Sequence, residues 1–256
     1  MLRFGKAARD HEWGFTDISK PRFHKGKNEG VLICHGFGCT PSTMSCLFDT
    51  SVGMGFTAAM PLLTGHAETF GALDKASFED WQRDVDGAYE SLIDAGCGEV
   101  VLCGLSLGAL LMADLAARRA QDGKIKGVFL ICPPIRMKAY LNFFAAVADI
   151  VPFVMTEESF RLEGAELYYG AASRKLRDIQ RAAKAALNGA SSISCPVTLV
   201  EAENDSRVDP KGYELLEKKL RDHSRVVIPG APHGIPYSDK RGELCAEFEV
   251  FLKKYE

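Results

Sequence analysis

The sequence lacks the features that would mark a membrane or secreted protein. The longest run without Asp, Glu, Lys or Arg, Gly30 to Phe48, is interrupted by Gly, Pro, Ser, Thr and His, so it does not resemble a transmembrane helix. The amino terminus mixes charged and apolar residues and has no apolar core of the kind found in a secretory signal. We therefore expect neither integral membrane insertion nor export.

An excess of basic charge and paired cysteine motifs are also missing. Lys plus Arg number 31 against 34 Asp plus Glu, a formal net charge of -3, so the composition does not favour a nucleic-acid partner. Eight cysteines are present without a Cys-x-x-Cys pair, and Cys34, Cys103 and Cys132 end apolar runs. Reduced thiols in a cytoplasmic protein are the simplest interpretation.

What the chain does contain is a series of short apolar runs separated by helical patterns. In 256 residues, 46% apolar and 25% charged, there is material for one core with one appendage. The runs are continuous rather than alternating, as in strands buried on both faces, and predict a mostly parallel sheet flanked by helices. They are Val31–Cys34, Phe56–Met60, Val100–Cys103, Val128–Cys132, Val197–Val200 and Val226–Ile228.

The helical segments carry recognisable start signals. Ser77 followed three residues later by Asp80 predicts a capping box, and the apolar positions after it recur at spacings of three and four. Asp209 is a candidate N-cap before Pro210. The other expected helices are Leu107–Ala120, Pro210–Leu220 and Glu243–Lys254.

One interval, 134–190, breaks the alternation because it shows no convincing strand. It contains an apolar segment, Tyr140–Met155, and a basic segment, Arg174–Leu187, with an apolar stripe that predicts an amphipathic helix with a solvated outer face. We interpret the interval as a helical cap inserted into a core made of residues 1–133 and 191–256.

The strongest chemical motif is Gly-Leu-Ser-Leu-Gly at 104–108, which follows an apolar strand directly and precedes an apolar helix. This context is that of a nucleophile elbow, in which Ser106 sits in a strained turn and the glycines leave room for the strand and helix to cross. Neither a GxGxxG nor a GxxxxGK[ST] motif is present, so a phosphate-binding loop is not indicated.

A serine nucleophile needs a base, and the base needs an acid to orient it. His233 follows the last expected strand, and Asp205 follows the strand before it, 28 residues earlier. The chain order Ser106, Asp205, His233 is that of α/β-hydrolase triads. Glu201 and Glu203 are rival acids, although Glu201 lies inside the strand.

An oxyanion hole requires two backbone N–H groups. Leu107, at the start of the helix after Ser106, can supply one, and Phe37 in the loop His-Gly-Phe-Gly is our candidate for the other. His35 is interpreted as a structural loop residue. Cys34, His35 and Cys39 do not have the spacing of a zinc site, and we expect no metal.

Taken together, these motifs resemble those of the α/β-hydrolase superfamily, in particular the bacterial carboxylesterase and monoacylglycerol lipase family. HGFG, MPLLTGH, FEDWQRDV, GLSLG, END and PHG appear in family order from Val31 onward. The resemblance implies the α/β-hydrolase fold and cleavage of a small-molecule or lipid carboxylic ester through an acyl-enzyme on Ser106, without a cofactor. It also implies Asp205 as acid, His233 as base, and Phe37 and Leu107 as oxyanion donors.

Two alternatives stay open at the level of sequence. An acyltransferase or thioesterase would use the same triad, and a receptor on this fold would bind ligand without turnover. A serine at the elbow argues against dehalogenase or epoxide-hydrolase chemistry, which requires a carboxylate there. The apolar side chains of Tyr140–Met155 could line an acyl pocket or pack wholly against the core.

Overall fold

A computed structural model describes residues 2–4, 9–150, 153–156, 164–168 and 170–256, with no side chains described for 2–4, 153–156 and 171. The strands are β1 (Leu2–Phe4), β2 (Arg22–His24), β3 (Glu29–Cys34), β4 (Thr57–Met60), β5 (Glu99–Leu105), β6 (Ile125–Ile131), β7 (Phe153–Thr156), β8 (Gly170–Ala172), β9 (Val197–Ala202) and β10 (His223–Ile228). The helices are α1 (Ser45–Gly53), α2 (Phe70–Lys75), α3 (Phe78–Asp94), α4 (Leu107–Arg118), α5 (Ala139–Ala146), α6 (Lys175–Gly189), α7 (Lys211–Glu217) and α8 (Arg241–Leu252).

Seven strands form the central sheet, in the order β10-β9-β6-β5-β3-β4-β2. All neighbouring pairs are parallel except β2 and β4. Each apolar run identified in the sequence overlaps a strand of this sheet. The runs in β3, β4, β5, β6 and β9 are largely buried, as expected of strands covered on both faces, whereas the edge strand β10 is mostly exposed, with Val227 48% exposed. The structure thus confirms the predicted α/β-hydrolase fold.

The helices largely follow the sequence signals. At the start of α3, the Ser77 side chain accepts the Asp80 amide and the Asp80 carboxylate accepts the Ser77 amide, which is the predicted capping box. Helix α7 begins at Lys211, one residue later than predicted, while the Asp209 carboxylate still accepts the Lys211 amide at 3.0 Å. Among the described helices, none is long and apolar enough to cross a membrane.

The interval 134–190 differs from the strand-free segment that we expected. Strands β7 and β8 pair antiparallel, and β1 from the start of the chain joins them in a second, three-stranded sheet. Helix α5 covers Ala139–Ala146 at the start of the apolar segment 140–155, and β7 begins near the end of that segment at Phe153. The aromatic and β-branched residues of β7, Phe-Val-Met-Thr, suit a strand.

Helix α6 has the predicted apolar stripe, which packs against α4, but its basic residues are not all solvated. Lys175 is buried, and its ammonium group donates to the Ala76 carbonyl and to the Asp178 carboxylate, both at 2.7 Å. Arg177, on the surface, pairs with Asp149 at 3.0 Å. The basic segment therefore ties its helix to neighbouring elements as well as facing solvent.

Candidate active site

The predicted site residues meet at one edge of the central sheet. Ser106 follows β5, Asp205 follows β9 and His233 follows β10, while Phe37 lies in the loop after β3. Because these strands are parallel, their carboxyl ends all reach the same edge, where ligands bind in open α/β sheets.

Ser106 occupies a strained turn between β5 and α4. Its backbone φ of 54° and ψ of -114° lie in a region that side-chain-bearing residues rarely adopt. The Ser106 amide donates to the Ile131 carbonyl at 2.8 Å, and the Ser106 carbonyl accepts the Leu110 amide at 3.2 Å. These bonds to β6 and α4 hold the turn in place, so its side chain is presented above the sheet edge.

The two glycines of the motif are required by close backbone packing. A Cβ on Gly104 would lie 2.4 Å from the Gly108 carbonyl, and one on Gly108 would lie 2.4 Å from the Cys34 carbonyl. Real Cβ atoms do not approach backbone atoms so closely. The motif therefore brings α4 directly against β5 and the end of β3, next to the loop that contains Phe37.

His233 and Asp205 form a buried hydrogen-bonded pair. The Nδ1 atom of His233 lies 2.7 Å from Oδ2 of Asp205, and the two side chains are 6% and 7% exposed. Oδ1 of Asp205 accepts the amides of Arg207 at 2.7 Å and Val208 at 2.9 Å. Nε2 of His233 has no hydrogen-bond partner among the described residues, Ser106 included, so this nitrogen is free but the predicted bond from the serine hydroxyl is not formed in the structure.

Burial shifts the two pKa values differently. It lowers the pKa of His233 below its ordinary value, although the neighbouring Asp205 opposes the shift. For Asp205, burial favours a higher pKa, but the hydrogen bond and charge of His233 and the two amide donors outweigh it, so the pKa of Asp205 is lowered. The pair thus combines an ionised carboxylate with a neutral imidazole near neutral pH.

The rival acids have other partners. The Glu203 carboxylate accepts the Gly230 amide at 2.7 Å, and Glu201 forms an ion pair with Arg225 at 3.4 Å. Glu203 therefore braces the turn after β10. Of the three acids considered from the sequence, Asp205 is the one that the structure brings to His233.

The candidate oxyanion donors flank Ser106. Leu107 is the first residue of α4, so its amide has no acceptor within the helix. Phe37 lines the same cavity as Ser106, and a Cβ on the preceding Gly36 would lie 3.3 Å from Cβ of Ser106. The loop that holds Phe37 therefore passes close to Ser106.

His35 has the contacts expected of a structural loop histidine. Its Nδ1 bonds the Gly36 carbonyl at 2.9 Å, and its Nε2 accepts the Leu63 amide at 3.1 Å. Burial lowers the pKa of His35 to about 4, so the ring is neutral. Both ring nitrogens are engaged in fixing the loops around it.

Cys132 lies at the site but was interpreted from the sequence only as the end of an apolar run. It follows β6 with a backbone φ of 47°, and its ligand atom and those of Asp205 and His233 lie within 4.8 Å of one another. Burial raises the pKa of Cys132 well above its ordinary value, and the Asp205 and His233 atoms of the trio bond each other. Its place directly after a parallel strand was the available sequence signal.

A cavity of about 240 Å³ opens over Ser106 and His233. Its wall is mostly apolar and includes residues from the interval 134–190. Those residues are Pro134, Met137, Tyr140, Leu141, Leu167, Tyr168, Gly170, Leu176 and Ile179. In contrast, Phe143, Phe144 and Ile150 are exposed, so only part of the apolar segment 140–155 faces the cavity, and Val151 lies outside the described residues.

The sheet order, the serine turn and the acid–base pair define an α/β hydrolase. Comparison with known proteins agrees: the model of the "Alpha/beta hydrolase family" matches residues 31–248, and the chain belongs to that family.

Individual relatives are consistent with this assignment. The chain is 24% identical over 247 residues to a carboxylesterase of Bacillus subtilis (strain 168), covering 92% of this chain and 96% of the relative. It is 31% identical over 98 residues to a thermostable monoacylglycerol lipase of Bacillus sp. (strain H-257), covering 38% of this chain and 39% of the relative. A solved structure from work on LipS and LipT, two metagenome-derived lipolytic enzymes, matches with a TM-score of 0.84 at 21% identity, covering 93% of this chain and 98% of the other.

Proposed function

We propose that the protein is a serine carboxylic ester hydrolase. The observation that carries this proposal is the His233–Asp205 pair at 2.7 Å, with its free Nε2 in the same cavity as the strained Ser106 turn. The relatives named carboxylesterase and monoacylglycerol lipase support the same reaction class.

In this mechanism Ser106 attacks the ester carbonyl while Nε2 of His233 removes the hydroxyl proton. Asp205 holds the imidazole in the Nδ1–H tautomer and stabilises the imidazolium that forms. The amides of Phe37 and Leu107 bind the negative oxygen of the tetrahedral intermediate. Histidine then returns the proton to the departing alcohol, leaving Ser106 acylated. In the second half, His233 activates water, which releases the carboxylic acid and restores the serine.

We also propose that residues 134–190 act as a cap over a core formed by 1–133 and 191–256. The apolar wall that this interval contributes to the cavity supports an uncharged acyl chain as the group bound there. The substrate is thus a small-molecule or lipid ester. A cytoplasmic location stays a prediction, supported by eight unpaired cysteines.

The direct test is steady-state hydrolysis of p-nitrophenyl esters from acetyl to palmitoyl and of monoacylglycerols, together with mass spectrometry after fluorophosphonate treatment. We expect turnover and a single adduct on the peptide that contains Ser106. A clean adduct without turnover on any ester would favour the receptor alternative. Acyl transfer to added alcohols or thiols in excess of hydrolysis would favour the acyltransferase alternative.

The pH dependence of kcat/KM should report the lowered pKa of His233. Only the neutral imidazole can accept the serine proton, so activity should fall as pH drops through the pKa of His233. Because burial lowers that pKa, we expect the midpoint below about pH 6.5, the ordinary histidine value. Arg207 also lowers the pKa of His233, so Arg207→Gln should move the midpoint upward. A midpoint above about pH 6.5 in the wild type would contradict this account.

The acyl-chain preference should depend on α6. Ile179 lines the cavity, and Ile179→Ala would extend the apolar space beside Ser106. Since each buried methylene contributes about 1 kcal/mol or more to discrimination, the ratio of kcat/KM for decanoyl over butyryl esters should rise by about 10-fold. Ile179→Val, which removes one methylene, serves as the graded control. An unchanged ratio in the alanine variant would place the acyl chain elsewhere.

A further inference from the structure

The loop that contains the candidate oxyanion donor Phe37 is held on both sides at the next residue, Gly38. The Gly38 amide donates to Nε2 of His66 at 3.3 Å, and the Gly38 carbonyl accepts the Tyr168 amide at 2.8 Å. Gly38 itself has a φ of 71°, in the left-handed region that favours glycine. The amide and the carbonyl of Gly38 are therefore both fixed by residues distant in sequence.

His66 is built to act as a hydrogen-bond acceptor. The residue is 1% exposed, and burial together with the nearby His35 ring lowers the pKa of His66 well below the ordinary value. A neutral ring whose Nε2 accepts the Gly38 amide carries its proton on Nδ1, which is buried and has no hydrogen-bond partner among the described residues. The ring also packs edge-on against Phe37, with centroids 5.9 Å apart, and lies 5.9 Å from the ring of Trp81.

The backbone around His66 is equally constrained. Its amide donates to the Leu63 carbonyl at 3.0 Å, and the preceding Gly65 has a φ of 80°. A Cβ on Gly65 would lie 2.8 Å from Cα of Leu73, so glycine is needed to bring the ring to this position. The hydroxyl of Tyr168 donates to the Glu68 carbonyl at 2.9 Å and accepts the Glu68 amide at 2.9 Å, which connects the 65–68 loop to the interval 134–190.

We propose that His66 is a positioning residue for the oxyanion hole, holding the Gly38 amide so that the Phe37 amide stays directed at the ester oxygen. This inference rests on the proposed ester hydrolysis. His66 does not touch the reacting atoms. It bonds the Gly38 amide, which belongs to the peptide group that joins Phe37 to Gly38, and so acts on the Phe37 amide through the backbone of one residue. The Tyr168 amide fixes the opposite side of the same residue, so the cap segment contributes to the same alignment.

The expected consequence is a loss of transition-state stabilisation rather than of substrate binding. Without an acceptor at position 66, the Gly38 amide would lose its hydrogen-bond partner, and the loop would shift to give this amide another one. Because a displacement of about 1 Å in a catalytic group can reduce rate by about 100-fold, His66→Phe should reduce kcat by about 10- to 100-fold. KM should change by less than about threefold, since most of the apolar wall of the cavity comes from the interval 134–190 rather than from the loop 37–39.

The experiment compares His66→Phe with His66→Gln. Phenylalanine keeps the ring packing without an acceptor, whereas the amide oxygen of glutamine can accept the Gly38 amide. We would measure kcat, KM, and Ki for an alkylboronic acid, which forms a tetrahedral serine adduct that uses the oxyanion hole. His66→Phe should raise Ki in proportion to its loss of kcat/KM, and His66→Gln should recover a substantial part of both.

Controls separate this role from a merely structural one. Phe129→Leu, in the core beside Phe248 and Phe251, lowers stability away from the site and should leave kcat within about twofold. An unchanged kcat in His66→Phe would overturn the inference, as would equal losses in the two His66 variants with Ki unchanged. If the wild type neither hydrolysed esters nor reacted with fluorophosphonate, the proposed function itself would fail, and the inference with it.

Discussion

Ser106→Ala should reduce kcat for ester hydrolysis by about 10³-fold or more while the protein stays folded. Alanine removes the only atom that can form the acyl-enzyme in the proposed mechanism, so the remaining activity would come from the oxyanion donors and substrate binding alone. The turn itself should persist, because it is held by backbone bonds to Ile131 and Leu110 and by the glycine contacts, none of which uses the serine hydroxyl.

The measurement is kcat on the preferred ester, with circular dichroism and thermal denaturation to confirm the fold. Ser91→Ala, which removes a half-buried hydroxyl that donates to the Ala88 carbonyl within α3, is the matched control and should retain full activity. Fluorophosphonate should label the wild type and Ser91→Ala but not Ser106→Ala. Retention of most of the activity by Ser106→Ala would rule out the serine mechanism.

Asp205→Asn should reduce kcat by about 10³- to 10⁴-fold. The two carboxylate oxygens of Asp205 have different partners, since Oδ1 faces backbone amides and Oδ2 faces His233. The Arg207 and Val208 amides donate to Oδ1, so the amide oxygen of asparagine would take that position and turn its NH2 group toward His233. Nδ1 would then have to accept a hydrogen bond, the ring proton would move to Nε2, and the ring could no longer remove the serine proton.

Glu203→Gln is the matched control, because Glu203 was the competing acid in the sequence and braces the loop before His233 through the Gly230 amide. It should alter kcat by less than about threefold, since an amide oxygen can replace the carboxylate there. A loss in Glu203→Gln equal to that of Asp205→Asn would contradict the assignment of the acid. Nuclear magnetic resonance of the His233 ring would show the expected change of tautomer in Asp205→Asn.

The sequence by itself determined six of the seven strands of the central sheet, the serine turn and the order of the acid and base, whereas the antiparallel edge strand β2 was not predicted. These features depend on interactions that are local in the chain: uninterrupted apolar runs, a capping box at Ser77 and Asp80, and the close approach of Gly104 to the Gly108 carbonyl on the other side of Ser106. Asp205 and His233 come after the carboxyl ends of two strands, so once the strands are known to be parallel, both residues are placed at the same edge of the sheet as Ser106.

Tertiary structure alone decided which groups meet across the chain. The bond from Gly38 to His66 spans 28 residues, and the Tyr168 hydroxyl reaches the Glu68 loop across 100. No periodicity encodes such pairs, because they depend on how separate elements pack.

The same reason explains the pairing of β1 with β7 and the thiol of Cys132 beside Asp205. The cavity wall likewise combines residues from the core and the interval 134–190, so its volume and lining exist only after these segments pack together. Reaction class can therefore be inferred from local motifs, whereas alignment of the oxyanion loop and selection of the acyl chain depend on long-range contacts.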